Sequence, residues 1–199
     1  WAHLKVAFEP IADFEASHTL IPVGEIIDFK DLTAGVPDNW SWAFEAGEPA
    51  TSTDQNPEGI EFSEAGTFSV SLTASNDFGS NSITKTAYIT TSSSLLPEVD
   101  FNASETLICT GTAVSFNDKS TYLPRSWEWS FTPETVTFVE GTDAYSQNPV
   151  VVFDAPGSYS VSLTATNLNG SASDTKFEMI TVGGETLPFE EYFQSISFE

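Results

Sequence analysis

The chain has 199 residues, of which 29 are acidic and six basic, for a net charge of −23 at pH 7. A surface so negative repels phosphate backbones and anionic lipid headgroups, which excludes nucleic acid and acidic membranes as ordinary partners. A lone cysteine, Cys109, permits no disulfide framework, and no apolar run approaches the ~18 residues of a membrane-inserting helix.

Residues 1–9 read as the end of a preceding domain or a linker, with Trp1 looking like a cut made inside a longer protein. A first unit then occupies residues 10–91. It opens with Asp13-Phe14-Glu15-Ala16-Ser17, continues through Phe29-x-Asp31 and Trp40-Ser41-Trp42-Ala43-Phe44, and reaches Asn56-Pro57. It closes with the run from Gly66 to Ala74, in which Phe68, Val70, Leu72 and Ala74 alternate with small hydroxyl residues. Strict alternation of this kind marks strands with one buried face. Turn-forming clusters separate the strands: Gly35-Val36-Pro37-Asp38-Asn39, Gly47-Glu48-Pro49 and Asn76-Asp77-Phe78-Gly79. Residues 92–97 read as a short linker whose hydroxyl-rich stretch begins at Thr90 and ends at Pro97.

A second unit, residues 98–183, repeats the first. Asp100-Phe101, Phe116-x-Asp118 and Trp127-Glu128-Trp129-Ser130-Phe131 follow their counterparts at an offset of 87. The offset becomes 92 at Asn148-Pro149 and settles at 91 for Gly157–Ala165, which places an inserted loop between Phe131 and Asn148. Acidity is shared, since residues 8–92 carry 14 acidic and 2 basic groups and residues 97–183 carry 11 and 3. Each unit is predicted to be an all-β antiparallel sandwich of about seven short strands. Trp40, Trp42 and Phe44 point one way from their strand, as do Trp127, Trp129 and Phe131, and all six are assigned to the core. Tyr159 in Gly157-x-Tyr159 is assigned to the core as a tyrosine corner, whose hydroxyl bonds backbone upstream. The first unit has Phe68 there and lacks the hydroxyl.

Little in the chain suggests bond-making chemistry. His3 and His18 belong to no His-Glu-x-x-His helix or zinc-spaced cluster, and there is no Gly-x-Ser-x-Gly elbow. Pairs such as Glu61 and Glu64 follow from the acidic composition. No catalytic residue and no metal ligand is assigned. Binding residues are sought instead in loops on a rigid scaffold: Phe78, Tyr122 beside Arg125, and Tyr145 in the insertion.

The order Asp-Phe-x-Ala-Ser, Trp-x-Trp-x-Phe, Asn-Pro, then Gly-x-(Phe/Tyr)-x-Val-x-Leu-Thr-Ala-x-Asn-x-x-Gly resembles the polycystic kidney disease (PKD) domain, twice over. The resemblance implies two tandem Ig-like sandwiches in a secreted or cell-surface bacterial protein, used as accessory modules beside an enzyme. The family's Phe-Gly-Asp-Gly turn is replaced by Phe44-Glu45-Ala46-Gly47 and Phe131-Thr132-Pro133-Glu134. Some members bind calcium through a loop ahead of the tryptophan strand. Here those stretches offer Asp38 in one copy and Arg125 in the other, a poor oxygen set for a cation that wants six to eight ligands. No cofactor is expected, with calcium in the first unit as the alternative.

At the flanks, Trp1-x-His3-Leu4 is similar to the close of a pappalysin-type zinc metallopeptidase domain. Leu187-Pro188-Phe189-x-Glu191-x-Phe193, within residues 184–199, is similar to the start of a jelly-roll-type module. The expected role is that of a non-catalytic spacer in a secreted metallopeptidase, with recruitment of extracellular protein or polysaccharide left open. The alternative is a cell-surface adhesin or carbohydrate-binding module. Expected partners are such a matrix and the flanking domains.

Overall fold

The computed structural model describes residues 8–183, all of whose regular structure is β. The two flanking resemblances, within residues 1–7 and 184–199, lie outside the described residues. The chain divides into two compact units between Leu96 and Pro97.

Unit 1 contains β1 (Phe14–Ala16), β2 (Leu20–Pro22), β3 (Glu25–Ile27), β4 (Phe29–Asp31), β5 (Asn39–Phe44), β6 (Gly47–Glu48), β7 (Thr51–Ser52), β8 (Ile60–Phe62), β9 (Gly66–Asn76) and β10 (Gly79–Ser92). One layer is the five-stranded sheet β2-β10-β9-β5-β7, and the other is built from the pair β1-β4 and the sheet β3-β8-β6. Ten segments replace the seven expected because short strands break where their partner changes: β3 pairs with β8, while β4, two residues on, pairs with β1. Unit 2 contains β11 (Phe101–Ala103), β12 (Leu107–Cys109), β13 (Ala113–Asp118), β14 (Ser126–Thr132), β15 (Val136–Val139), β16 (Val150–Phe153), β17 (Gly157–Asn167) and β18 (Gly170–Gly183). Its sheets are β11-β13-β16-β15 and β12-β18-β17-β14.

Three details refine the sequence expectation. First, β2 pairs with β10, and β12 with β18, in parallel. Each unit's opening chain starts in one layer and crosses to the other, so it meets the last strand running the same way. Second, Thr90, Thr91 and Ser92 belong to β10, and the connection begins only after them. Third, part of the insertion after Phe131 is a strand, β15, which pairs with β16.

Alternation decides the core. Along β9, Phe68, Val70, Leu72 and Ala74 are buried, and along β17 so are Tyr159, Val161, Leu163 and Ala165. Trp42 and Trp129 lie at 1% and 3% exposure, each edge-on to a phenylalanine of the first strand (Phe14 at 5.2 Å, Phe101 at 5.1 Å). Phe44, Phe131 and Tyr159 are buried with them. Trp40 and Trp127, assigned to the same core, are only half-buried. They share the facing direction of their neighbours but lie toward the start of the strand, where their indole N–H groups donate to Asp31 and Asp118.

Candidate functional site

At one end of each unit the loop before the tryptophan strand meets the β9–β10 or β17–β18 turn. In unit 1 the turn is Asn76–Gly79, where Asn76 Oδ1 accepts the Phe78 N–H at 2.9 Å and leaves the Phe78 ring 62% exposed. Asn76 Nδ2 donates to the Gly35 and Phe8 carbonyls, both at 2.9 Å, and ties three segments into one tip. Phe8, Ile11 and Val36 are exposed on those segments, so Phe78 belongs to an apolar tip. In unit 2 Asn167 Nδ2 donates to the Tyr122 carbonyl at 2.9 Å, and the Arg125 N–H donates to Thr166 at 2.7 Å.

The two loops share a backbone and differ in side chains. Gly35 and Val36 have φ of 95° and 55°, and their counterparts Tyr122 and Leu123 have 62° and 59°. Consecutive left-handed residues are uncommon outside glycine and cost of order 1–3 kcal/mol each. Tyr122 thus stands where unit 1 has a glycine crowded by Pro10 and Glu9, and Arg125 stands where unit 1 has Asp38. The structure brings Tyr122, half-buried, and Arg125, exposed, to one tip. It does not bring Tyr145 to them. That ring, 66% exposed, lies on the flank, where Ala144 accepts from the Trp129 N–H at 2.8 Å.

Behind each tip sits a matched clamp that explains the repeated Phe-x-Asp and Asn-Pro motifs. Asp31 Oδ2 accepts from Trp40 Nε1 at 2.8 Å and Gln55 Nε2 at 3.2 Å, while Oδ1 accepts the Thr33 N–H at 3.0 Å. Asp118 accepts from Trp127 Nε1, Gln147 Nε2 and the Ser120 N–H at 2.8, 3.1 and 2.9 Å. Asn56 and Asn148 accept the N–H of these aspartates at 2.9 Å, and Pro57 and Pro149 those of Phe29 and Phe116. The carboxylates nearest the loops therefore hold donors, a structural duty. Among the described residues no three His, Cys, Asp or Glu side chains converge as a metal site requires.

A second matched pair was not singled out in the sequence. Lys85 reaches Asp13 at 2.9 Å and the Phe14 carbonyl, with its ammonium 4.5 Å from the Phe14 ring centroid. Lys176 reaches Asp100 at 2.6 Å and the Phe101 carbonyl, 4.6 Å from the Phe101 ring. Just beyond each lysine the strand shifts register, with Ala87 and Glu178 left-handed at φ 49° and 51°. Such a bulge re-aims nearby side chains. The hydrogen bond from the lysine, and then that from the Phe14 or Phe101 N–H, hold Asp13 and Asp100 below the usual carboxylate range.

A depressed carboxyl contributes stability above its unfolded pKa of about 3.9, and that contribution fades as pH falls through the folded value. Asp13→Asn with Asp100→Asn is therefore expected to lower the urea midpoint at pH 7 but to leave it close to wild type well below pH 4. Both aspartates are more than half exposed, so screening limits each pair to about 0.5 kcal/mol. Parallel urea titrations across pH 2–7 check this; a constant gap refutes it.

Two layers with an opening strand that switches between them, a buried tryptophan and loops gathered at one end define Ig-like β-sandwiches in tandem. PKD-domain models match residues 11–89 and 95–182, and the chain belongs to the PKD domain family, with two domains in tandem. Such domains are commonly extracellular spacer or adhesion modules and are generally non-catalytic. Among solved structures the chain is similar to the mouse nectin-like molecule 4 ectodomain, with 14% identity over 89% of this chain and 66% of that one (TM-score 0.40). It is also similar to immunoglobulin domains 1–5 of Sidekick-1, at 12% identity over 89% and 40% (TM-score 0.39). A third is the three N-terminal domains of the bacteriophage RB49 outer capsid protein Hoc, at 12% over 87% and 59% (TM-score 0.37). The chain thus spans less than two thirds of each of these structures. No curated protein matches it.

Proposed function

We propose that this chain is the accessory segment of a secreted bacterial enzyme, a zinc metallopeptidase of the pappalysin type, in which two rigid sandwiches set the spacing between a catalytic domain and a following module. One observation carries the reading. What the two copies hold in common is scaffolding: the buried Trp42 and Trp129, the Asp31 and Asp118 clamps, and the Lys85 and Lys176 pairs. What they do not hold in common is the tip, where Gly35 and Asp38 of the first copy correspond to Tyr122 and Arg125 of the second. A spacer needs only the shared part. It raises the effective concentration of tethered partners without touching the reaction. A His-Glu-x-x-His helix elsewhere in the parent polypeptide would identify the peptidase.

A second reading, an adhesin or carbohydrate-binding module, is favoured by the exposed Phe78 ring and by the left-handed Tyr122 beside Arg125. The spacer predicts that the chain passes unretained over insoluble collagen, chitin and cellulose. Retention on any of these that is lost in Phe78→Ala or Tyr122→Ala replaces the spacer with the binder.

A further inference from the structure

The two units differ most along one side of the sandwich. In unit 1 the chain after β5 closes that side itself. Strand β6 pairs with β8, and Gly47 packs so closely that an added Cβ would lie 2.6 Å from Phe44 Cβ and 3.0 Å from Ile60 Cγ2. The chain then turns back along the outer edge of β5: Trp42 and Ala43 pair with Ser52 and Thr51, and the Phe44 N–H donates to Ala50 at 2.9 Å.

In unit 2 the longer connection is drawn to the other layer. Strand β15 adds to β16, and Thr142, the counterpart of Ala50 at the offset of 92, is held there. Its N–H donates to Val139 at 3.0 Å, and its hydroxyl accepts the Val150 N–H at 3.0 Å. Among the described residues, Ala144 alone makes a backbone–backbone hydrogen bond back to β14, at Trp129. Among the described residues the Phe131 N–H meets no backbone acceptor in the place that Ala50 fills for Phe44. Beside it lies a groove of about 270 Å³ lined by Trp129, Ser130, Phe131, Glu134, Val136 and Phe138.

We propose that this edge and groove receive an extended basic peptide as an added strand. Its main chain continues the sheet beyond β14 from Phe131, an apolar side chain enters the groove against Phe131 and Phe138, and a lysine or arginine lies beside Glu134. Strand addition takes affinity from main-chain hydrogen bonds and selectivity from pockets for alternate side chains. The unit 1 edge is the template, since there the chain's own extended residues occupy the same place. The groove falls below the ~300–1,000 Å³ of small-molecule sites and suits a side chain. Charge selects the partner. The ionisable residue of the lining is Glu134, and residues 97–183 carry 11 acidic groups against 3 basic. A second copy, itself at −23, would meet like charge. The proposal goes beyond the spacer reading and does not depend on it.

The test titrates the 199-residue chain with the capped peptide Lys-Val-Lys-Val-Lys and follows amide exchange by NMR. At saturation the Phe131 amide is expected to exchange at least about tenfold more slowly, while Phe44 is unchanged. Glu134→Lys, exposed and checked for an unaltered unfolding midpoint, should weaken binding about three- to tenfold. A peptide N-methylated along one edge should fail to bind. Three results overturn the proposal: unchanged exchange at Phe131, equal binding of Glu-Val-Glu-Val-Glu, or concentration-dependent protection of Phe131 without peptide, which would make a second copy the occupant.

Discussion

Trp129→Ala is expected to cost unit 2 about 3–5 kcal/mol, the range for removing a buried tryptophan from a core. The indole is enclosed by Phe101 at 5.1 Å and Phe116 at 5.6 Å, and its Nε1 donates to the Ser146 carbonyl at 2.9 Å. Truncation therefore opens a cavity between the two sheets and leaves a loop carbonyl without its donor. A unit of this size holds only a few kcal/mol in reserve, so the loss brings it to the edge of unfolding at 25 °C. With an m-value of about 1–1.5 kcal/mol/M, its urea midpoint should fall by about 2–5 M. Trp127→Ala, two residues earlier on the same face, should cost about half as much or less, because its ring is half-buried and held by Asp118 at the tip. Resolving the units by residue-specific amide exchange keeps the two transitions apart. Equal losses at positions 127 and 129 would contradict the depth assigned to them, and a matching loss in unit 1 would contradict separate cores.

That contrast marks how far the sequence could be read. A period of two encodes which face a side chain takes, and Phe68 to Ala74 and Tyr159 to Ala165 fall inward as the alternation requires. It does not encode how deeply a side chain is buried along the strand, and so Trp40 and Trp127 could not be told from Trp42 and Trp129. The Asp31 and Asp118 clamps were visible as repeated motifs whose partners were unknown. The pairing of Asp13 with Lys85 was harder, since 72 residues separate them, yet Asp100 and Lys176 return in the same duplicated frame and could have been found there. Strand β15 left no such trace. It lies in the insertion, where unit 1 offers no template, and Val136–Val139 shows no clean alternation. At the tips, Phe78 and Tyr122 were legible as loop aromatics, but the shared left-handed backbone beneath Gly35 and Tyr122 was not.

The corner hydroxyl gives the second large effect. Tyr159 Oη donates to the Ala155 carbonyl at 2.8 Å and lies 2.6 Å from Thr135 Oγ1, which can supply the proton for that second bond. Tyr159→Phe should therefore cost unit 2 about 1–2 kcal/mol, with a partly buried carbonyl left without this donor. In unit 1 Phe68 has no hydroxyl, yet the carbonyl matching Ala155, that of Glu64, is not abandoned. Thr91, buried on β10, donates to it and accepts the Gly66 N–H at 3.0 Å. The residue matching Thr91 in unit 2 is Val182, which faces Gly157 in the register by which Thr91 faces Gly66. Each unit thus supplies one hydroxyl to the same corner, from opposite members of the same pair of strands. Thr91→Val should cost unit 1 as much as Tyr159→Phe costs unit 2. Adding Val182→Thr to Tyr159→Phe should recover at least about half of the loss, because the hydroxyl returns to the same carbonyl by the unit 1 route. Urea midpoints of unit 2 in the two single variants and the double variant decide it: simple addition of the single effects would mean that the two hydroxyls do not serve one corner.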